Sequence, residues 1–184
     1  MEPPPVYSDG VVTIRRQRLD DLEADLAAKD DEQIDWLWQP GQRELWEAMT
    51  RDEQRAHAAR TLAANRDAFG AGPKWCFSVD AAEPDYVAYV DFDVANAHVP
   101  AGDANISYSA HPAYRGRGYV ARAVRLVAQF ITQHTDARRA FLIVDAQNAA
   151  SLRVAHAVGA VEGGRWVNER GHTMIRHELR LTTP

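Results

Sequence analysis

The stretch His111-Pro-Ala-Tyr-Arg-Gly-Arg-Gly-Tyr-Val120 lies between a strand-like run, Ala104-Asn-Ile-Ser-Tyr-Ser109, and a helix-like run from about Tyr119 to Gln133. Glycines flanked by arginines at a strand-to-helix junction read as an anion cradle. Gly116 and Gly118 let the backbone turn sharply and approach a ligand closely. The first amides of the following helix have no intrahelical acceptor, and the helix dipole adds partial positive charge there. A pyrophosphate fits such an end, with Arg115 and Arg117 as fixed positive charge beside it. The chain therefore reads as one that handles a phosphorylated cofactor.

Working outward, Val11-Val-Thr-Ile14 reads as a short strand after a loose, Pro-rich tail over residues 1–10. Leu19, Leu22 and Leu26 recur at helical spacing, with Asp20 as a cap. Thr50 and Glu53 make a capping-box pattern before a helix that ends near Phe69. Trp75-Cys-Phe-Ser-Val79 and Tyr86-Val-Ala-Tyr-Val90 read as consecutive strands. After the glycines, Val120, Val124, Val127 and Ile131 share one helix face. Ala140-Phe-Leu-Ile-Val144 is a continuous apolar run, as expected of a strand buried on both faces. A short helix follows from about Ala149 to Val158, closed by Gly159, and residues 161–167 and 173–181 read as two last strands. The order is strand, two or three helices, three strands, loop and helix, strand, helix, two strands. The late β-α-β piece implies a parallel pair and the consecutive strands an antiparallel sheet. The expected fold is α/β: one mixed, mostly antiparallel sheet over residues 11–184, centred where the 104–109 strand meets the 140–145 strand.

Composition bounds the rest. The length of 184 residues, 46% hydrophobic and 26% charged, suits a soluble domain with a sizeable core. No apolar run approaches the roughly 18–20 residues that span a bilayer, and the start lacks the pattern of a secretory signal. One cysteine, Cys76, excludes an internal disulfide framework. The chain reads as cytoplasmic. The seven histidines show no metal-ligand spacing, and no basic stripe points to nucleic acid. Nothing in the sequence signals an oligomer interface. The net charge of −5 hides an asymmetry: residues 20–53 hold 12 acids and 3 bases, −9, which leaves +4 for the remainder. That acidity reads either as solvated helix faces or as the side that receives a cationic substrate. Trp36, Trp38 and Trp46 fall in the same third, as anchors of its helices on the sheet or as walls of an acceptor pocket.

Over residues 85–181 the chain resembles the GNAT superfamily of acyl-CoA-dependent N-acetyltransferases, and over its N-terminal third it follows the same element order. The family's loop pattern is Arg or Gln, two residues, Gly, one residue, then Gly or Ala. Arg115, Gly118 and Val120 hold those places, Val120 being a departure that its apolar helix face accommodates. The run from Tyr108 to Tyr119 is similar to the branch that acetylates ribosomal-protein N-termini and includes many small-molecule acetyltransferases. Val144-Asp-Ala-Gln-Asn148-Ala-Ala-Ser151 resembles the same branch's strand-end Asn and helix-borne Ser.

The resemblance implies a central pair of parallel strands that splay, flanked by helices, and acetyl-CoA as acyl donor. It implies that Arg115, Gly116, Arg117, Gly118, Tyr119, Val120 and Ala121 hold the pyrophosphate. Tyr108, Ser109 and Ala110 would meet the pantetheine arm through their backbone, and Asn148 would touch it while also capping a helix. Ser151 would be the general acid on the leaving sulfur. His111 and Asp145 read as positional. A base must still deprotonate an ammonium acceptor; Asp35, Glu47, Asp91 and Asp93 are candidates that no spacing separates. The expected reaction moves an acetyl group directly to a primary amine, a small cationic one such as an antibiotic or metabolite. A peptide or protein N-terminus is the alternative acceptor, and a non-catalytic acyl-CoA sensor the alternative class.

Overall fold

A computed structural model describes residues 6–83 and 85–181. Its strands are Val6–Ser8 (β1), Val12–Arg16 (β2), Lys74–Ala81 (β3), Ala88–Asp93 (β4), Ala104–Ala110 (β5), Arg139–Asp145 (β6), Val161–Val167 (β7) and Thr173–Arg180 (β8). They form one sheet in the order β1-β2-β3-β4-β5-β6-β8-β7. The helices are Leu22–Ala27 (α1), Asp31–Leu37 (α2), Gln42–Glu47 (α3), Arg51–Asp67 (α4), Tyr119–His134 (α5) and Ala149–Ala157 (α6). Among the described residues, β5 and β6 are the one parallel pair. This is the mixed, mostly antiparallel sheet expected, with the parallel junction offset toward the β7 edge.

Three local expectations are corrected. Residues 1–5 of the expected tail lie outside the described residues, but Val6–Ser8 is an edge strand paired with β2. Asp9 shapes the turn between them, its carboxylate accepting the amides of Val11 and Val12. Asp20 is no helix cap: Leu19–Asp21 is a 3-10 turn, and α1 starts after Asp21, which is buried against Arg15. Among the described residues, four α-helices precede β3. Trp38 leaves α2 in extended backbone and Gly41 enters α3 at φ +83°, which cuts the 31–47 stretch in two.

Other local signals hold. Thr50 Oγ1 accepts the Glu53 amide, and the Glu53 carboxylate accepts the Thr50 amide at 2.7 Å, so α4 begins on a reciprocal cap. The fourth strand starts later than the sequence indicated because Tyr86 sits at φ +58°, its amide donating to Asp80 Oδ1 and its hydroxyl to Asp25 Oδ1.

The core lies between the sheet and α5. Val120, Val124, Val127 and Ile131 are buried on one face of that helix, with Phe130 beside them. They pack with Ile14, Phe77, Val90, Phe92, Ile106 and Leu142. Each such side chain contributes roughly 1.5–3 kcal/mol through burial. This packing fixes α5 across the sheet and so fixes where its N-terminus points.

Candidate active site

The parallel pair determines the site. β5 and β6 are registered only at Ala104↔Ala140 and Asn105↔Phe141. Beyond that point they part, while β5 stays paired with β4 as far as Ala110 and β6 with β8 as far as Asp145. The opening leads into a cleft of about 440 Å³ lined by every residue expected to hold the donor or to protonate its sulfur: Tyr108, Ser109, Ala110, Asn148, Ser151 and every position from Arg115 to Ala121.

At one end of the cleft lies the glycine loop. Gly116 and Gly118 adopt φ +76° and +78°. A Cβ on either would meet nothing within 4 Å, so glycine is demanded there by the backbone and not by crowding. Among the described residues, the backbone amides of 116 to 121 have no acceptor; the next, Arg122, donates to the Gly118 carbonyl. An unbroken run of unsatisfied N–H groups at the start of a 16-residue helix fits a pyrophosphate. Val120 turns into the core at 9% exposure, so its branched side chain leaves that run open.

The two loop arginines differ. Arg117 is exposed and stands over the Tyr114 ring at 5.3 Å. Arg115 turns away: its guanidinium nitrogens donate to Asp30 and Glu32 on and beside α2. Its side chain is therefore spent on an ion pair, and only its backbone belongs to the loop. Arg153 of α6, which the sequence reading missed, brings a further exposed cation to the same cleft.

At the other end, Asn148 Oδ1 accepts the Ser151 amide at 2.9 Å and caps α6. The Tyr108 hydroxyl donates to the Ser151 carbonyl at 3.3 Å, and burial pushes this phenol's pKa up to about 12. Ser109 Oγ accepts from Gln33 Nε2, while Gln33 Oε1 is buried without a partner among the described residues. His111 Nδ1 accepts the Ala113 amide, the positional role expected of it.

Two further cavities adjoin the cleft. One of about 110 Å³, among α2, β5, β6 and the β7–β8 hairpin, shares Trp36, Leu37, Tyr108, Asn148 and Ser151 with it. The other, about 400 Å³ and inside the N-terminal helices, shares Gln33 and Leu37 and is walled by Trp38 and Trp46 in edge-to-face contact at 5.5 Å. The tryptophans are thus cavity walls, half-buried and outside the main core, not anchors on the sheet.

The acidic stretch is partly neutralised. Arg43 pairs with Asp31, Asp35 and Glu47, and Arg115 with Asp30 and Glu32. Of the candidate bases, Asp91 is buried beside Lys74 at 3.2 Å, and burial raises its carboxyl above the usual range. Neither it nor Asp93 nor Glu47 lines these cavities, whereas Asp35 does. Asp145 is bound to His172, a residue no sequence spacing had marked.

The model of the acetyltransferase (GNAT) domain family matches residues 12–161. The chain belongs to that family. It is an N-acetyltransferase with acetyl-CoA as donor. Its fold is similar to that of Mycobacterium smegmatis RimJ in complex with CoA-disulfide: 17% identity, TM-score 0.75, over 98% of this chain and 90% of that one. The Vibrio fischeri ribosomal-protein-S5-alanine acetyltransferase superposes at 15% identity and TM-score 0.74 over 96% of each chain. The microcin C7 self-immunity acetyltransferase MccE, in complex with acetyl-CoA and AMP, does so at 14% identity and TM-score 0.69 over 94% and 93%. No curated protein matches this chain in sequence. No helix among the described residues is long and apolar enough to cross a membrane.

Proposed function

We propose that this GNAT acetyltransferase moves the acetyl group directly from acetyl-CoA to a small cationic primary amine. One observation carries the reading: the cleft that begins at the glycine loop opens, at Tyr108 and Ser151, into a separate small cavity bordered by Asp35, Asp145 and Trp36. Two substrates can thus approach one point from two sides, as direct transfer in a ternary complex requires.

In this reading the amides of residues 116 to 121 and the side chain of Arg117 hold the pyrophosphate. The backbone edge of Tyr108 to Ala110 that faces away from β4, where β6 has parted from β5, and the side chain of Asn148 receive the pantetheine. The Ser151 hydroxyl protonates the departing sulfur. A β5 amide pointed at the thioester oxygen would stabilise the charge that develops there. Cys76, the one cysteine, is buried on β3 with Tyr89 donating to its sulfur, and it lines none of these cavities, which favours transfer without a cysteinyl intermediate. Carboxylates and a tryptophan face suit an ammonium with an apolar or cationic body. The likeness to ribosomal-protein acetyltransferases favours a second acceptor, a peptide N-terminus.

An amine panel scored by thiol release from acetyl-CoA tests the reading. Small cationic amines should turn over, with an acceptor KM that rises with ionic strength. Asp35→Asn should raise that KM more than the KM for acetyl-CoA. Turnover of short peptides alone would replace the small-amine reading with the peptide one. No turnover of any amine would leave an acyl-CoA-binding protein.

A further inference from the structure

His172 sits at the end of the β7–β8 hairpin, and its Nδ1 lies 2.7 Å from Asp145 Oδ2. The other Asp145 oxygen accepts the Gln147 amide at 2.8 Å, so this buried carboxylate is held at both ends. The hairpin is held as well. Asn168 Oδ1 accepts the His172 amide, the Asn168 amide donates to the His172 carbonyl, and Arg170 donates to the carbonyls of Asp35 and Trp38. The ring is therefore fixed on the wall of the 110 Å³ cavity that meets the donor cleft at Ser151.

An ammonium has no lone pair and cannot attack a thioester until it loses a proton. With Nδ1–H donated to Asp145, Nε2 is the ring nitrogen left to accept one, and among the described residues it has no hydrogen-bond partner. A buried carboxylate behind an imidazole fixes its tautomer and stabilises the imidazolium when it forms. Asp35 also borders the cavity, but its Oδ1 is 2.6 Å from Arg43. The charged groups that line the cavity with His172 are Asp145 from β6, Asp35 from α2 and Arg170 from its own hairpin; Tyr108 from β5 is the other titratable group on the wall.

We propose that His172, oriented by Asp145, is the general base that deprotonates the acceptor amine in this cavity. The proposal rests on the acceptor reading above. The ammonium gives one proton to Nε2, leaving a neutral amine and an imidazolium. The nitrogen lone pair forms the N–C bond at the thioester carbonyl carbon, and the C–S bond breaks with its electron pair on sulfur. The nitrogen's second proton passes to that sulfur through the Ser151 hydroxyl. The imidazolium, on a side chain 35% exposed, returns its proton to solvent. The products are an amide, CoA thiol and one proton.

The test is the pH dependence of kcat/KM for an amine that the wild type accepts, in wild type, His172→Gln and Asp145→Asn, with acetyl-CoA affinity by calorimetry as the folding control. His172→Gln should lose roughly 100-fold or more in kcat/KM. It should lose the acidic limb of the profile, keep its acetyl-CoA affinity, and recover part of its rate with added imidazole. Asp145→Asn should move that limb to lower pH. A His172→Gln enzyme with the wild-type rate and limb overturns the base assignment while leaving the acceptor reading intact. A wild type silent toward every amine overturns both. Should His172→Gln fail to bind acetyl-CoA, the Asp145→Asn profile decides: an unmoved limb overturns the proposal.

Discussion

Arg115 and Asp30 form a two-pronged ion pair, each guanidinium nitrogen 2.7 Å from its own carboxylate oxygen. Asp30 also accepts the Gln33 amide and so caps α2. Arg115 foremost, with the Gln33 amide, holds the Asp30 carboxyl below the usual range. The pair joins the glycine loop to α2, the helix that carries Gln33, Trp36 and Leu37 onto the cleft wall.

This arrangement separates the two loop arginines by experiment. Arg115→Gln should lower stability, with a coupling to Asp30→Asn of about 1 kcal/mol in a urea-unfolding double-mutant cycle. Arg117→Gln should leave stability alone and raise the KM for acetyl-CoA. A coupling near zero, with the acetyl-CoA KM responding to Arg115 instead, would return the Arg115 side chain to the phosphate.

Ser151 offers a cleaner test than most helix serines. The cap on α6 uses its backbone amide, which alanine retains, so Ser151→Ala should fold as the wild type does. If the hydroxyl protonates the leaving sulfur, kcat should fall by about 10- to 1,000-fold with little change in the acetyl-CoA KM. Asn148→Ala removes the capping oxygen and should cost about 1 kcal/mol of stability. An unchanged kcat in Ser151→Ala would leave that residue a helix position only.

Much of this site could be read from local chemistry. Glycines at 116 and 118, the apolar stripe from Val120 to Ile131, the Thr50–Glu53 cap and the apolar run of β6 each depend on neighbours within a few residues. What the sequence hid depends on distant pairing. Asp145 and His172 are 27 residues apart and meet because β6 pairs with β8, Asp145 opposite Met174. Arg115 finds its carboxylate 85 residues upstream. The acidic third looked uniform in sequence, yet Arg43 and Arg115 take up several of its charges. Val6–Ser8 is too short to announce itself as a strand and forms only because β2 offers an edge.

Arg15 and Asp21 are buried together, at 4% and 5% exposure. The two guanidinium nitrogens donate to Asp21 at 2.9 and 2.7 Å, Ser78 Oγ donates at 2.7 Å and the Arg18 amide at 2.8 Å. Burial alone would raise this carboxyl, but Arg15, Ser78 and Arg18 together hold it below the usual range. A carboxyl lowered in the folded state binds its proton later than in the unfolded chain. Its stabilisation is therefore complete above the unfolded value of about 3.9 and is lost as pH falls through the lower, folded value. Arg15 also donates to both oxygens of Asp80, at 2.5 and 2.9 Å, so replacing it by Met leaves two carboxylates without their cation; for Asp21, the more buried of the two, burial then acts unopposed by Arg15. At pH 7, Arg15→Met should cost about 3–5 kcal/mol, the penalty of an uncompensated buried charge. As pH falls and Asp21 takes up a proton to become neutral, that deficit should shrink. Urea unfolding followed by tryptophan fluorescence at pH 7 and at a mildly acidic pH measures both. A deficit that is small and equal at the two pH values would mean that the pair contributes nothing to the fold beyond filling space.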